Sequence, residues 1–97
     1  MLKTRKFDVA DYLKTEKDIE EYLAAAVEEK DYSFLPVALA DIAMARKAMT
    51  SAAKAAGVSR TTLYQSLSAE GRPAFETVAK VADFLGYKIK LVSKKSL

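Results

Sequence analysis

The sequence of 97 residues has no cysteine and no histidine, and it has only three glycines and two prolines. The lack of cysteine excludes a disulfide framework and thiol chemistry. The lack of histidine removes the most common general base and the most common nitrogen ligand for metals. No apolar run approaches the ~20 residues of a membrane-spanning helix, and the N-terminus lacks the apolar core of a signal peptide. We therefore expect a cytoplasmic protein that is not an enzyme and has no catalytic residue, metal, cofactor or membrane segment.

Charged residues are plentiful but unevenly placed. Residues 1–47 contain eight Lys/Arg and ten Asp/Glu, whereas residues 48–97 contain eight Lys/Arg and three Asp/Glu. A basic half joined to an acidic half is typical of a protein that binds a polyanion on one side. The same asymmetry also arises on ordinary solvated surfaces, so charge alone leaves the partner open.

Apolar residues recur at helical spacing along most of the chain, which predicts one all-α domain over residues 1–97. Residues 1–14 form an N-terminal extension of this domain. Residues 87–97 are expected to form a short C-terminal β-strand and a tail, because "YKIKLV" alternates between apolar and basic residues. One strand needs a neighbour, so a second subunit or another protein would have to pair with it; a frayed extension is the alternative.

The first two long helices are marked by their starting residues. Thr15 and Asp18 fit a capping box. Asp31 or Ser33 is expected to cap the second helix, with Pro36 in its first turn, where the missing N–H matters least. The apolar stripe predicted for the first of these helices consists of Ile19, Tyr22, Leu23, Ala26 and Val27.

Three shorter helices follow, and their boundaries are also marked. Thr50 is expected to be the N-cap of a helix that ends at Gly57, and Ser59 the N-cap of the next. After the break "AEGRP", Pro73 is expected in the first turn of the last helix, which Gly86 ends. The apolar stripe predicted for that helix consists of Phe75, Val78, Val81, Ala82 and Leu85.

The segment "TSAAKAAGVSRTTLYQSL" has the spacing of a helix-turn-helix. Small Ala53 permits a close helix crossing, and Gly57 supplies the positive φ of the turn. Val58 fills the space between the helices, Ser59 caps the second helix, and Leu63 anchors that helix to the core. An ordinary pair of short helices would not need all five positions to be satisfied together.

The polar side chains left over by this assignment are candidate contacts to DNA. Arg60 can pair with guanine or phosphate, and Gln65 can read adenine. Ser59 either caps alone or also touches a phosphate, and Tyr64 either reaches a phosphate or packs on the helix edge. Arg72 lies in the following loop. The complete set is Thr50, Ser51, Ser59, Arg60, Thr61, Thr62, Tyr64, Gln65 and Arg72.

The stretch "GVSRTTLYQSLSAEGRPAFETVAKVADFLG" resembles the phage-repressor-type helix-turn-helix proteins. Together with "FDVADYLKTEKDIEEYLAAAVEE" and "GYKIKL", the pattern over residues 7–91 resembles the addiction-module antidotes, the HigA-like antitoxins of type II toxin–antitoxin systems. One departure concerns Ser66, where a repressor-type helix usually has an apolar residue. This departure affects the docking angle of the recognition helix.

The resemblance implies a lambda-repressor-like domain of five to six helices that binds operator DNA and represses its own operon. It also implies a partner toxin, usually a small basic ribonuclease of the RelE type. The acidic face of the first long helix would suit such a toxin, but that face is equally explained as solvated surface, and the C-terminal strand is an alternative contact. A homodimer is expected because one such domain reads half of a near-palindromic operator. The last helix and residues 87–92 are the expected dimer interface.

Two other functions are compatible with the same residues. One is a stand-alone repressor without a toxin, which the absence of an adjacent toxin gene would indicate. The other is a protein-interaction module that has lost DNA binding, which a gel shift would detect.

Overall fold

A computed structural model describes residues 9–28 and 32–94 of the chain. After a 3-10 helix (Val9–Tyr12), these residues form five α-helices: α1 (Glu16–Glu28), α2 (Phe34–Ala45), α3 (Met49–Ala56), α4 (Arg60–Leu67) and α5 (Phe75–Phe84). The described residues contain no strand, in agreement with the predicted all-α class. Within these two ranges, no helix has the length and apolar character that crossing a membrane requires. Most of the predicted N-terminal extension and the alternative cap Asp31 lie outside the described residues.

Helix α2 is the centre of the fold. Its six consecutive residues 38–43 are all buried, which covers more than one full turn. A helix that is buried on all sides must be surrounded by other elements. Accordingly, α1, α3, α4, α5 and the 3-10 helix all pack against α2.

One of these six buried residues is a carboxylic acid. The Asp41 side chain is only 4% exposed, and the hydroxyl of Tyr22 on α1 donates to its Oδ2 at 2.6 Å. A buried carboxyl group without such a donor would be costly, so this bond fixes α1 against α2. The ring of Tyr22 also meets Phe34 edge-on, with 6.1 Å between the ring centroids.

Arg46 joins four parts of the chain at the end of α2. Its Nη1 donates to the carbonyl oxygen of Leu85 at 2.6 Å, and its Nη2 donates to Glu16 Oε1 at 3.1 Å and to the Tyr87 hydroxyl at 3.3 Å. The guanidinium also lies over the Tyr87 ring, 5.7 Å from its centroid. The start of α1, the end of α5 and the residues after Gly86 are therefore held at one point.

The starts of the helices agree with prediction in part. The capping box is confirmed, because Thr15 N donates to Asp18 Oδ2 at 3.1 Å and Asp18 N donates to Thr15 Oγ1 at 3.0 Å. Ser33 is the N-cap of α2, although its side chain makes no cap hydrogen bond. The predicted N-cap Thr50 is wrong: α3 begins at Met49 and its N-cap is Ala48.

Three helices end in the same way, with one residue in the left-handed conformation. Gly57 has φ +80° and Gly86 has φ +98°, as predicted for helix ends. Lys47, at the end of α2, has φ +55° although it is not a glycine. In each case the next residue donates its N–H to a carbonyl five residues earlier, such as Ala48 N to Ala43 O at 2.8 Å. This tight ending of α2 lets α3 begin at Met49, earlier than the sequence indicated.

The apolar stripes are correct at their centres and wrong at their ends. On α5, Val78, Val81, Ala82 and Leu85 are buried, whereas Phe75 is 71% exposed. Helix α5 begins at Phe75 with Ala74 as N-cap, so Pro73 precedes the helix and the Phe75 ring projects past the edge of the core. Val27, in the last turn of α1, is 59% exposed because it also lies at the edge of the core.

The predicted C-terminal strand is wrong for the single chain. Residues 87–93 have no regular secondary structure, and no described segment pairs with them. A strand requires a hydrogen-bonded neighbour, which an all-helical chain does not supply. Tyr87 nevertheless packs against the core, so the first residue of this segment is fixed.

Two glycines should respond differently to alanine. A Cβ at Gly57 would meet no atom within 4 Å, so Gly57→Ala incurs only the strain of a positive φ, about 1 kcal/mol. A Cβ at Gly71 would lie under 3.0 Å from the carbonyl oxygen of Ser66 in α4, so the backbone must move. We expect Gly71→Ala to lower the free energy of unfolding by roughly 2–3 kcal/mol, which exceeds the loss for Gly57→Ala. Urea unfolding followed by circular dichroism at fixed protein concentration measures both; a smaller loss for Gly71→Ala would contradict the close approach.

Candidate nucleic-acid interface

Helix α4 is anchored by two leucines and presents polar side chains on its other sides. Leu63 and Leu67 are fully buried, as predicted. At 100° per residue, Thr61 and Gln65 lie one turn apart on the face directed away from these leucines. Both are exposed, so they are the side chains that a surface docked on α4 would meet first.

Ser59 begins α4 as predicted. Its backbone is extended, with φ −76° and ψ 160°, and its Oγ accepts from Thr62 N at 3.0 Å. The same hydroxyl donates to Thr62 Oγ1 at 3.0 Å. The capping role of Ser59 is thereby confirmed, and Thr62 is held beside it at the N-terminal end of the helix.

Arg60 connects α4 to α3. Its Nη1 donates to Thr50 Oγ1 at 3.1 Å, and its Nη2 lies 3.9 Å from the sulfur of Met44. The correction at the start of α3 explains this contact, because the Thr50 hydroxyl is not used as a cap and can accept from arginine. The guanidinium is exposed and lies at the side of α4 that faces α3.

The N-terminus of α3 lies next to this arginine. Its N-cap, Ala48, has no side chain that can accept a hydrogen bond. The first backbone N–H that bonds within the helix is that of Ala52, which donates to Ala48 O at 2.8 Å. The preceding N–H groups, including those of exposed Thr50 and Ser51, therefore point out of the helix end, where they favour an anion.

The remaining candidates lie farther along α4. Tyr64 is partly exposed at 38%, which leaves both of its predicted roles open. Arg72 is exposed in the loop after α4, and the loop is closed by Gly71 N donating to Ser68 O at 2.9 Å. Helix α4 has eight residues and is about 12 Å long. Arg60 is its first residue, and Arg72 lies in the loop that follows its C-terminal end.

The segment of chain that forms α3 and α4 contains no acidic residue. No aspartate or glutamate occurs between Asp41 and Glu70. Lys47 lies in this stretch, is exposed, and precedes the start of α3 by two residues. It was not among the predicted site residues, although a lysine in a very short connection between two helices is a signal that could have indicated it.

Comparison with known proteins identifies the family of the chain. Residues 3–93 match the protein family described as "Probable addiction module antidote protein". The chain belongs to this family. An uncharacterized protein of Haemophilus influenzae is similar to it, with 40% identity over 87 residues that cover 90% of this chain and 89% of the relative. No solved structure matches the chain.

Membership of this family supports the role of an antidote, whose partner is in general a toxin. The comparison covers all nine predicted site residues, because they lie between Thr50 and Arg72.

The dual role considered for Ser59 can be separated by two substitutions. Ser59→Ala removes the cap and should lower the free energy of unfolding by about 1 kcal/mol, whereas Ser59→Asn keeps a capping oxygen and should lower it by a few tenths at most. Thermal and urea unfolding measure this difference. A loss of stability that is the same for both variants would contradict the capping role. With stability retained, weaker DNA binding by Ser59→Asn would identify an additional phosphate contact.

Proposed function

We propose that the chain is a DNA-binding antitoxin of a type II toxin–antitoxin module. Helices α3 and α4 act as a helix-turn-helix of the lambda-repressor type, and the protein represses its own operon as a homodimer. It is a binding protein rather than an enzyme, and operator binding requires it to reside in the cytoplasm.

The observation that carries this proposal is the exposed, acid-free surface formed by α4 and the N-terminus of α3. Arg60 and the N–H groups of α3 converge on one place, which is suited to a phosphate. Thr61 and Gln65 face away from the core between the two arginines, where side chains can reach base edges in a major groove about 12 Å wide.

These residues divide into two classes of expected contact. Arg60, Thr50, Ser51, Arg72 and the additional cation Lys47 would hold the sugar–phosphate backbone and set the position of the helix. Thr61, Gln65 and, after rearrangement, Arg60 would read the bases. Tyr64 and Thr62 lie at the flanks of α4 and would contact phosphates.

The toxin part of the proposal rests on the family. A toxin of the RelE type, small and basic, would be attracted to the acidic face of α1, whose exposed side chains include Glu16 and Glu21. Co-purification with the product of the neighbouring gene is the matching test. Without such a partner the chain would be a stand-alone repressor.

DNA binding is tested by a gel shift with the DNA upstream of the protein's own gene. We expect Arg60→Ala combined with Thr61→Ala to weaken binding about tenfold to a hundredfold, because an arginine–guanine pair contributes roughly 1–3 kcal/mol. The remaining affinity should fall less steeply with salt, since one phosphate or base contact per subunit is lost.

The matched control is Lys17→Ala, which removes a positive charge from exposed α1 and leaves α3 and α4 unchanged. It should bind as the unmodified protein does. No shift at low salt, or equal weakening by the control, would contradict binding through α4 and favour a protein-interaction module.

A further inference from the structure

An apolar groove runs along the side of the molecule formed by α1, α2, α5 and the C-terminal segment. It has a volume of about 410 Å³, and no residue of α3 or α4 lines it. The large apolar side chains that line it include Leu23, Val27, Tyr32, Leu35, Ile89 and Leu91. The groove is therefore separate from the proposed DNA surface.

Large apolar side chains at this groove face solvent in the single chain. Tyr32 is 81% exposed and Leu91 is 94% exposed, and Val27 and Ile89 are also exposed. Scattered exposed apolar residues are ordinary, but a contiguous group around a groove marks a surface that another molecule covers.

The groove and a hollow next to it carry opposite charges. Glu20 and Glu28 belong to α1 and lie at a hollow that adjoins the groove through Leu23, Val27 and Tyr87. Lys88 and Lys90 belong to the C-terminal segment and line the groove itself. Among the ion pairs of residues 9–28 and 32–94, none involves these four side chains.

We propose that a second copy of this chain occupies the groove, related to the first by a two-fold axis. In such an arrangement the lysines of each copy meet the glutamates of the other, and Leu91 of each copy enters the groove of its partner. This rests on the proposed function, in which the DNA-binding unit is a dimer, and it assigns the surface that forms that dimer.

Charge complementarity selects a second copy over other occupants. A partner with charge of one sign, such as a basic toxin, would be attracted by the glutamates of the hollow and repelled by the lysines of the groove. A self-complementary pattern is what a two-fold interface needs, because the same surface serves as both partners. The groove leaves α4 uncovered in both copies, so both remain free to bind DNA.

The test exchanges charges between two variants of the full chain. One variant carries Glu20→Lys with Glu28→Lys, and the other carries Lys88→Glu with Lys90→Glu. Each alone should dimerise at least about tenfold more weakly than the unmodified protein, because like charges then face each other twice. An equimolar mixture should regain dimers of nearly the original stability, since every pair in the mixed dimer is again of opposite sign.

Mixing also distinguishes contact between copies from contact within one chain. Restoration in the mixture, measured by sedimentation equilibrium at low salt, supports the interface. A dimer that the single variants do not weaken would overturn the proposal. The proposal would also be overturned if the dimer returned only when all four substitutions were combined in one chain. The same holds if the unmodified protein is monomeric at every concentration.

A second variant tests the apolar part without endangering the fold. Leu91 is almost fully exposed, so Leu91→Glu should leave thermal unfolding of the monomer unchanged and still weaken the dimer at least about tenfold. Phe75→Glu, which also places an acid at an exposed apolar position, lies outside the groove and should dimerise normally. Equal dimerisation by both variants would overturn the proposal.

These measurements contain no DNA and no toxin, so their failure is distinct from a failure of operator binding. If the gel shift fails while the dimer responds as described, the interface stands and the proposed function does not. If binding to DNA is confirmed while the groove variants dimerise normally, the dimer uses another surface.

Discussion

The burial of α2 is the constraint on which the rest of the structure depends. Six consecutive buried residues leave no solvent-facing side at the middle of this helix, so all of its neighbours are positioned by packing against it. Four of the six are alanine or aspartate, and the three alanines allow those neighbours to approach closely. Asp41 accepts a hydrogen bond from the Tyr22 hydroxyl on α1. Arg46, which follows α2, donates hydrogen bonds to Glu16 on α1, to Leu85 after α5 and to Tyr87 in the C-terminal segment.

This packing explains how a small chain can present a rigid surface. Leu63 and Leu67 are fully buried, and α4 packs on both α2 and α3. Since these leucines determine the rotation of α4 about its axis, they also determine that Thr61 and Gln65 face outward. The contact between Arg60 and Thr50 then ties the surface of α4 to the start of α3. The orientation of the candidate DNA contacts on α4 therefore follows from the packing of the core.

The sequence predicted local features well because their causes are local. The capping box at Thr15 and the glycine endings at Gly57 and Gly86 depend only on residues within one turn. Thr50 was assigned wrongly because Lys47 adopts a positive φ, a conformation that nothing about lysine indicates. Periodicity correctly predicted the buried side of α5 but placed Phe75 in the core. The spacing of apolar residues indicates which side of a helix faces the core, but it does not indicate where along the helix the core ends. The contacts of Arg46 with Leu85 and of Tyr22 with Asp41 join residues 39 and 19 positions apart, so no local pattern indicates them.

The measurement that tests DNA binding through α4 most directly is a titration of the ¹⁵N-labelled protein with the duplex from upstream of its gene, followed by amide chemical shifts. The largest changes should occur at Thr50, Ser51, Arg72 and residues 59–65, whereas α1 and residues 88–94 should change little. Changes confined to α1 and the C-terminal segment, with the amides of α4 unaffected, would contradict the proposal that α4 is the surface that meets DNA.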